Sequence, residues 1–128
     1  MFREKLLEGV NLFNEKEFWH AHESWEELWL EAGTDLHQYL QGLIQLAAAY
    51  HHVKRGTFRG AVRLFDAALR RLSAFPQRFC GIDRTAAEAA ATRHREWIAA
   101  RIDSDERLGL DEYPRLAPDD SPMPREPW

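Results

Sequence analysis

The sequence predicts an all-α domain: a compact array of about five helices, built from two helical hairpins and a fifth helix, followed by an extended proline-rich C-terminal segment. Three observations predict it. Apolar residues recur at three- or four-residue spacing through most of the chain, glycines and capping residues punctuate them at hairpin intervals, and five of the six prolines fall after Tyr113.

Taken in order, Phe2, Leu6, Leu7, Val10 and Phe13 define a first helix. Asn14 with Glu17 has the spacing of a capping box opening a second helix, and Phe13 with Phe18 has that of a hydrophobic staple fixing a tight hairpin. Gly33 is expected to close the second helix, and Asp35 with Gln38 to start a third that runs to about Arg55. Gly56 and Thr57 then supply a C′ glycine and an N-cap, so the third and fourth helices form a second hairpin. Pro76 ends the fourth helix. Past a loop through Gly81, Thr85 and Glu88 have capping-box spacing for a fifth helix carrying His94, Trp97, Ile98 and Ile102.

Prolines among acidic residues make 113–128 an extended tail with Trp128 at an exposed end, which leaves 1–112 as a single helical domain. Shifting the chain by 40 residues aligns Phe18, Ala21, Trp25 and Trp29 with Phe58, Ala61, Phe65 and Leu69, a weakly tetratricopeptide-like repeat. Two such units are fewer than the roughly three that a solenoid needs, so a closed array is expected.

Composition bounds the function. At 128 residues and 45% hydrophobic content the chain suits one packed core. A net charge of −4 argues against a general nucleic-acid binder, and no apolar run reaches the length of a membrane span. The charge is uneven: acidic from Glu4 to Asp35, basic from Lys54 to Arg78. The two regions are expected to pair within the fold or across a homodimer. Cys80, the single cysteine, excludes an intrachain disulfide and a cysteine-based zinc site, and the cytoplasm is the expected compartment.

Candidate chemistry centres on Phe18 to Trp29. Wound as a helix, this stretch sets His22 and Glu26 inside an apolar, tryptophan-rich face, where the pair is either a closed structural hydrogen bond or a working site. Phe18, Trp25 and Trp29 share a face expected to bury against the third helix, and Trp19, Trp25 and Trp29 are expected to line an aromatic groove. The His22-Glu23-x-x-Glu26 spacing resembles half of a metal-chelating helix, lacking the final histidine. His51 or His52 from the third helix would complete a divalent-metal site of His22, Glu26, His51 and His52. Gln41, Gln45 and His52 form a second polar stripe, which converges with His22 and Glu26 into one pocket if the two faces meet. His20 is expected to be exposed and His94 to pack inside, while Arg59, Arg63 and Arg70 make a solvated basic stripe.

The order Phe13-Asn14, Phe18, Ala21-His22-Glu23, Trp25-Glu26 and Trp29, then Gln41-Gly42-Leu43-Ile44-Gln45-Leu46-Ala47-Ala48 and His51-His52, resembles the small prokaryotic helical proteins grouped as domain of unknown function 309. The resemblance spans roughly residues 5–75 and implies a compact all-α fold with hairpins, without an established activity. Three functional readings follow from the residues. One is a non-enzymatic module binding a protein segment or small molecule beside Trp19, Trp25 and Trp29. Another is a metal binder or metal-assisted hydrolase using His22, Glu23, Glu26 and a third-helix histidine. The third is a polar cluster that fixes helix register in a homo-oligomer.

Overall fold

The periodic segments become α1 (Phe2–Asn14), α2 (Phe18–Glu31), α3 (Thr34–Arg55), α4 (Phe58–Leu72) and α5 (Thr85–Ala99) in a computed structural model that describes residues 1–125 and 127–128. Each helix packs on its neighbour in sequence, α1 on α2 through to α4 on α5. The protein is thus an all-α array of five helices, as its periodicity predicts. The central α3 buries more than one stripe, with Leu36, Tyr39, Leu40, Leu43, Leu46, Ala47, Tyr50 and Val53 all inside, because α2 and α4 cover it from two sides.

The first hairpin is set by Trp25. Its ring is fully buried against α1, where the indole N–H donates to the Leu6 carbonyl at 3.0 Å. Gly9 makes the approach possible, since a Cβ there would stand 2.1 Å from the indole nitrogen. Phe13 and Phe18 meet edge-on at 5.0 Å as the staple spacing suggests, and Phe18 stacks on Tyr50 of α3 at 5.4 Å. Of the three aromatics expected against α3, Trp25 therefore packs on α1, and Trp29 is half-buried, stacked on His37 at 4.1 Å. Across α3, Gly42 lets α4 come close: a Cβ at that position would lie 2.8 Å from Leu72.

Several helix ends differ from their expected chemistry. Asn14 does not cap α2; its side chain donates to the Leu116 carbonyl at 2.9 Å and accepts from the Leu116 N–H at 2.7 Å. An amide side chain matches both groups of one extended residue, and that match fixes the C-terminal segment instead. Gly33 N-caps α3 with φ −69°, because the extended Ala32 has already ended α2. Gln38 turns to Arg71 rather than capping beside Asp35. Gly56 takes the left-handed conformation as expected, at φ +77°. Arg84, not Thr85, holds the N-cap position of α5, and Glu88 pairs with Arg84 at 2.8 Å. The fourth helix stops at Leu72, before Pro76, and Ile102 lies beyond α5.

A small antiparallel sheet joins β1 (Arg78–Phe79), β2 (Ile82–Asp83) and β3 (Ala117–Pro118), with Phe79 opposite Ile82 and Asp83 opposite Ala117. Strands of two residues leave no periodicity to read in a sequence. Through β3 the proline-rich segment, extended as its composition dictates, is bound to the helices. Leu116 is buried, Arg78 pairs with Asp119 and Asp120 at 3.0 and 2.7 Å, and the Gly33 N–H donates to the Pro127 carbonyl at 2.8 Å. Trp128 stays half-exposed but meets Phe2 edge-on at 5.4 Å.

Arg84 is fully buried, a feature the sequence reading missed. Its guanidinium donates to the Leu72 and Phe75 carbonyls at 3.1 and 3.2 Å and to Glu88, so it closes the C-terminal end of α4, where unpaired carbonyls and the helix dipole favour a cation. Two outcomes follow for urea unfolding at constant m-value. Gly9→Ala should destabilise by about 1–3 kcal/mol or more, since the indole has no room to yield. Arg84→Ala should cost about 3–5 kcal/mol by leaving the largely covered Glu88 and the Leu72 and Phe75 carbonyls without their partner.

Candidate functional site

Helix α2 has two faces of different kind. Phe18, Ala21, Ser24, Trp25 and Leu28 point inward, whereas Trp19, Glu23, Glu26 and Leu30, spaced four, three and four residues apart, form one outward stripe. Trp19 is 47% exposed and Leu30 71%. Both stand outside a helix whose inside is already packed. Together with His22 and Glu27 these residues line a shallow recess of about 410 Å³.

The indole of Trp19 lies parallel to the His22 ring at 4.7 Å and tilts against His51 of α3 at 5.2 Å. His22 Nε2 stands 3.5 Å from Glu26 Oε2. The imidazole is largely covered, while the carboxylate is half-exposed, so the pair sits at the rim of the apolar face instead of inside it. A pair so open to water is worth about 0–1 kcal/mol. Burial, reinforced by His52, Arg55, His22 and Lys54, holds the His51 pKa below the ordinary histidine value.

The second polar stripe does not join this site. Gln45 accepts from Arg71 Nε at 3.1 Å, and Gln38 accepts from the same guanidinium, so that flank of α3 faces α4. His52 shares a 2.6 Å hydrogen bond with Thr57 and lies against Gly60. Gln41 is half-buried one residue before the close approach of α4 at Gly42. The physical reason is that Gly42 makes α4 the near neighbour on this side. Adjacent His51 and His52, about 100° apart around the helix, consequently serve different neighbours.

Among the described residues, no group of three or more histidine, cysteine or acidic side chains is placed to hold a metal ion. His22 and Glu26 find no third ligand: His51 is against Trp19, His52 is bonded to Thr57, and Glu23 pairs with His20 at 3.2 Å. The three tryptophans do not line a common groove either, because Trp25 is fully buried and Trp29 is stacked on His37. Trp19 remains the outward-facing member. Leu30 was not anticipated, although its place in the stripe from Trp19 was legible. At the far end of α2, Leu30 also lines a recess of about 480 Å³ with Met1, Lys5, Glu27, Glu31 and Trp128.

The remaining candidates have packing roles. His94 is buried and shares a 2.7 Å hydrogen bond with Tyr50, the residue on which Phe13, Phe18 and Phe65 converge. Burial lowers the His94 pKa and raises that of Tyr50. Cys80 is buried with its pKa pushed up to about 12, so the thiol stays protonated at neutral pH. Within the chain, the expected pairing of acidic N-terminal and basic middle regions does not form among the described residues. Lys5 binds Glu8 and Glu27, Asp66 binds Arg95, and Arg78 binds the C-terminal aspartates.

Residues 6–64 match the family model described as Domain of unknown function (DUF309). The motif residues from Phe13 to His52 lie inside that span, and over it the resemblance read from the sequence is borne out. No curated protein matches the chain. The matched segment contains the whole recess on α2, with Trp19, His22, Glu23, Glu26 and Leu30, whereas Arg84 and His94 lie beyond it.

His51 and His94 both bind protons less readily folded than unfolded. The unfolded chain therefore takes up more protons below the ordinary value of 6.5, and stability present above that pH should be lost as pH falls through the lowered folded values. Unfolding free energies measured from pH 8 to 5 should show this decline, and His94→Gln should flatten it. Glu26→Gln, removing a half-exposed partner, should change stability by less than about 1 kcal/mol.

Proposed function

We propose that the protein is a non-enzymatic interaction module that docks a basic protein segment along the outer face of α2. The observation that carries this reading is the exposed stripe in which Trp19 and Leu30 bracket carboxylates. A helical rise of eleven residue steps sets the two apolar anchors about 16 Å apart, the length of three turns. Between and beside them stand Glu23, Glu26, Glu27 and Glu31. A partner helix with apolar residues at matching spacing and lysine or arginine between them would cover the anchors and pair the carboxylates. A tryptophan half in water is also the residue type that most often dominates such contacts. Of the side chains that a hydrolytic reading would use, His52 bonds Thr57 and Glu23 contacts His20.

Titration with a lysine-rich amphipathic peptide, followed by tryptophan fluorescence and calorimetry, tests the proposal. Trp19→Ala should weaken binding by about 2 kcal/mol or more, and Glu26→Lys should slow association and reduce its salt dependence. Equal binding of an acidic peptide with the same apolar spacing would overturn the assignment.

A further inference from the structure

Trp19 stands on the border between two recesses of opposite charge. On one side it shares a recess with Glu23, Glu26 and Glu27; on the other it lines a recess of about 300 Å³ with Lys16, Glu17, Lys54 and Arg55. The two sides do not neutralise each other within the chain. Glu23 and Glu26 have only histidines beside them, Glu27 is held by Lys5, and none of the ion pairs among the described residues involves Lys16, Lys54 or Arg55. The Lys54 ammonium instead donates to the Lys16 carbonyl at 3.1 Å, which ties the basic half together across the α1–α2 turn and the end of α3.

Such a surface is complementary to itself. When a second copy is turned by 180° about an axis passing beside Trp19, its basic half meets the acidic half of the first copy, and its acidic half meets the basic half of the first. Resting on the reading of the α2 outer face as a docking surface, we infer that the docked segment is supplied by a second copy of this chain. The result is a two-fold homodimer with Trp19 of each copy at the axis and Glu23 and Glu26 of each facing Lys54 and Arg55 of the other. The contact would cover the exposed indole and give uncompensated charge on both sides a partner of opposite sign. An open heterologous chain would leave a charged half uncovered at each of its two ends, whereas the two-fold dimer leaves none and is the smallest closed assembly.

Sedimentation equilibrium and light scattering on the full chain test the inference, with circular dichroism confirming that each variant is folded. The wild-type chain should be a dimer at micromolar concentration and should dissociate toward monomer in about 1 M salt, where the screening length is about 3 Å. Trp19→Ala, the pair Glu23→Lys with Glu26→Lys, and the pair Lys54→Glu with Arg55→Glu should each weaken the dimer about tenfold or more. All five positions are solvent-exposed, and the single changes Glu26→Lys and Lys54→Glu serve if a double variant fails to fold. Mixing the two oppositely reversed chains should restore a dimer that contains one of each. A dimer insensitive to salt and to all these changes overturns the inference. A monomer that still takes up the basic peptide overturns the dimer alone, and a monomer that takes up no peptide overturns the docking surface as well.

Discussion

The fit of the Trp25 indole against Gly9 is the constraint on which the rest of the molecule depends. A fully buried indole fills a large volume, and its N–H must find an acceptor. Here the acceptor is the Leu6 carbonyl inside α1, so the ring can be placed in one way only, flat against a helix that offers no side chain at position 9. That contact sets the rotation of α2 about its own axis. Once Trp25 points at α1, Phe18 and Ala21 point into the core and Trp19, Glu23, Glu26 and Leu30 must point out. The outward stripe is thus a geometrical consequence of the most deeply packed residue on the same helix.

Helix α3 translates this placement into the site. It receives Phe18 on Tyr50, and the same tyrosine gathers Phe13, Phe65 and His94, so the interior is closed by aromatic edges and one hydrogen bond. The polar residues of α3 are then divided between its neighbours. Gln38, Gln45 and His52 satisfy partners on or just before α4, because Gly42 draws α4 close, while His51 turns toward Trp19. A single mixed pocket would have required α2 and α4 to occupy the same flank.

The C-terminal segment is bound by polar contacts as well as by the burial of Leu116. Asn14 holds the backbone of Leu116, Arg78 holds two aspartates, and β3 extends a sheet whose other strands flank Cys80 and Gly81, both in left-handed conformations. Nearby, Arg84 closes the end of α4 from inside the protein. Burying a guanidinium is tolerable because each of its bonded partners is a carbonyl, a carboxylate or a hydroxyl.

The sequence by itself determined the number and order of the helices and the hairpin turn at Gly56, because these follow from apolar spacing and from local backbone chemistry. It also contained the outward stripe of α2, in the spacing of Trp19, Glu23, Glu26 and Leu30. Only the tertiary structure decided how the polar side chains were used. Asn14, Glu88 and Gln38 occur in capping patterns, yet each bonds a distant or neighbouring group that offered a better match, and Arg84 shows no local sign of burial. The reason is physical. Apolar periodicity records which face leaves water, a property of one helix alone, whereas a hydrogen bond or ion pair depends on which helix arrives at that face and how closely, and for α3 that was settled by the missing Cβ of Gly42.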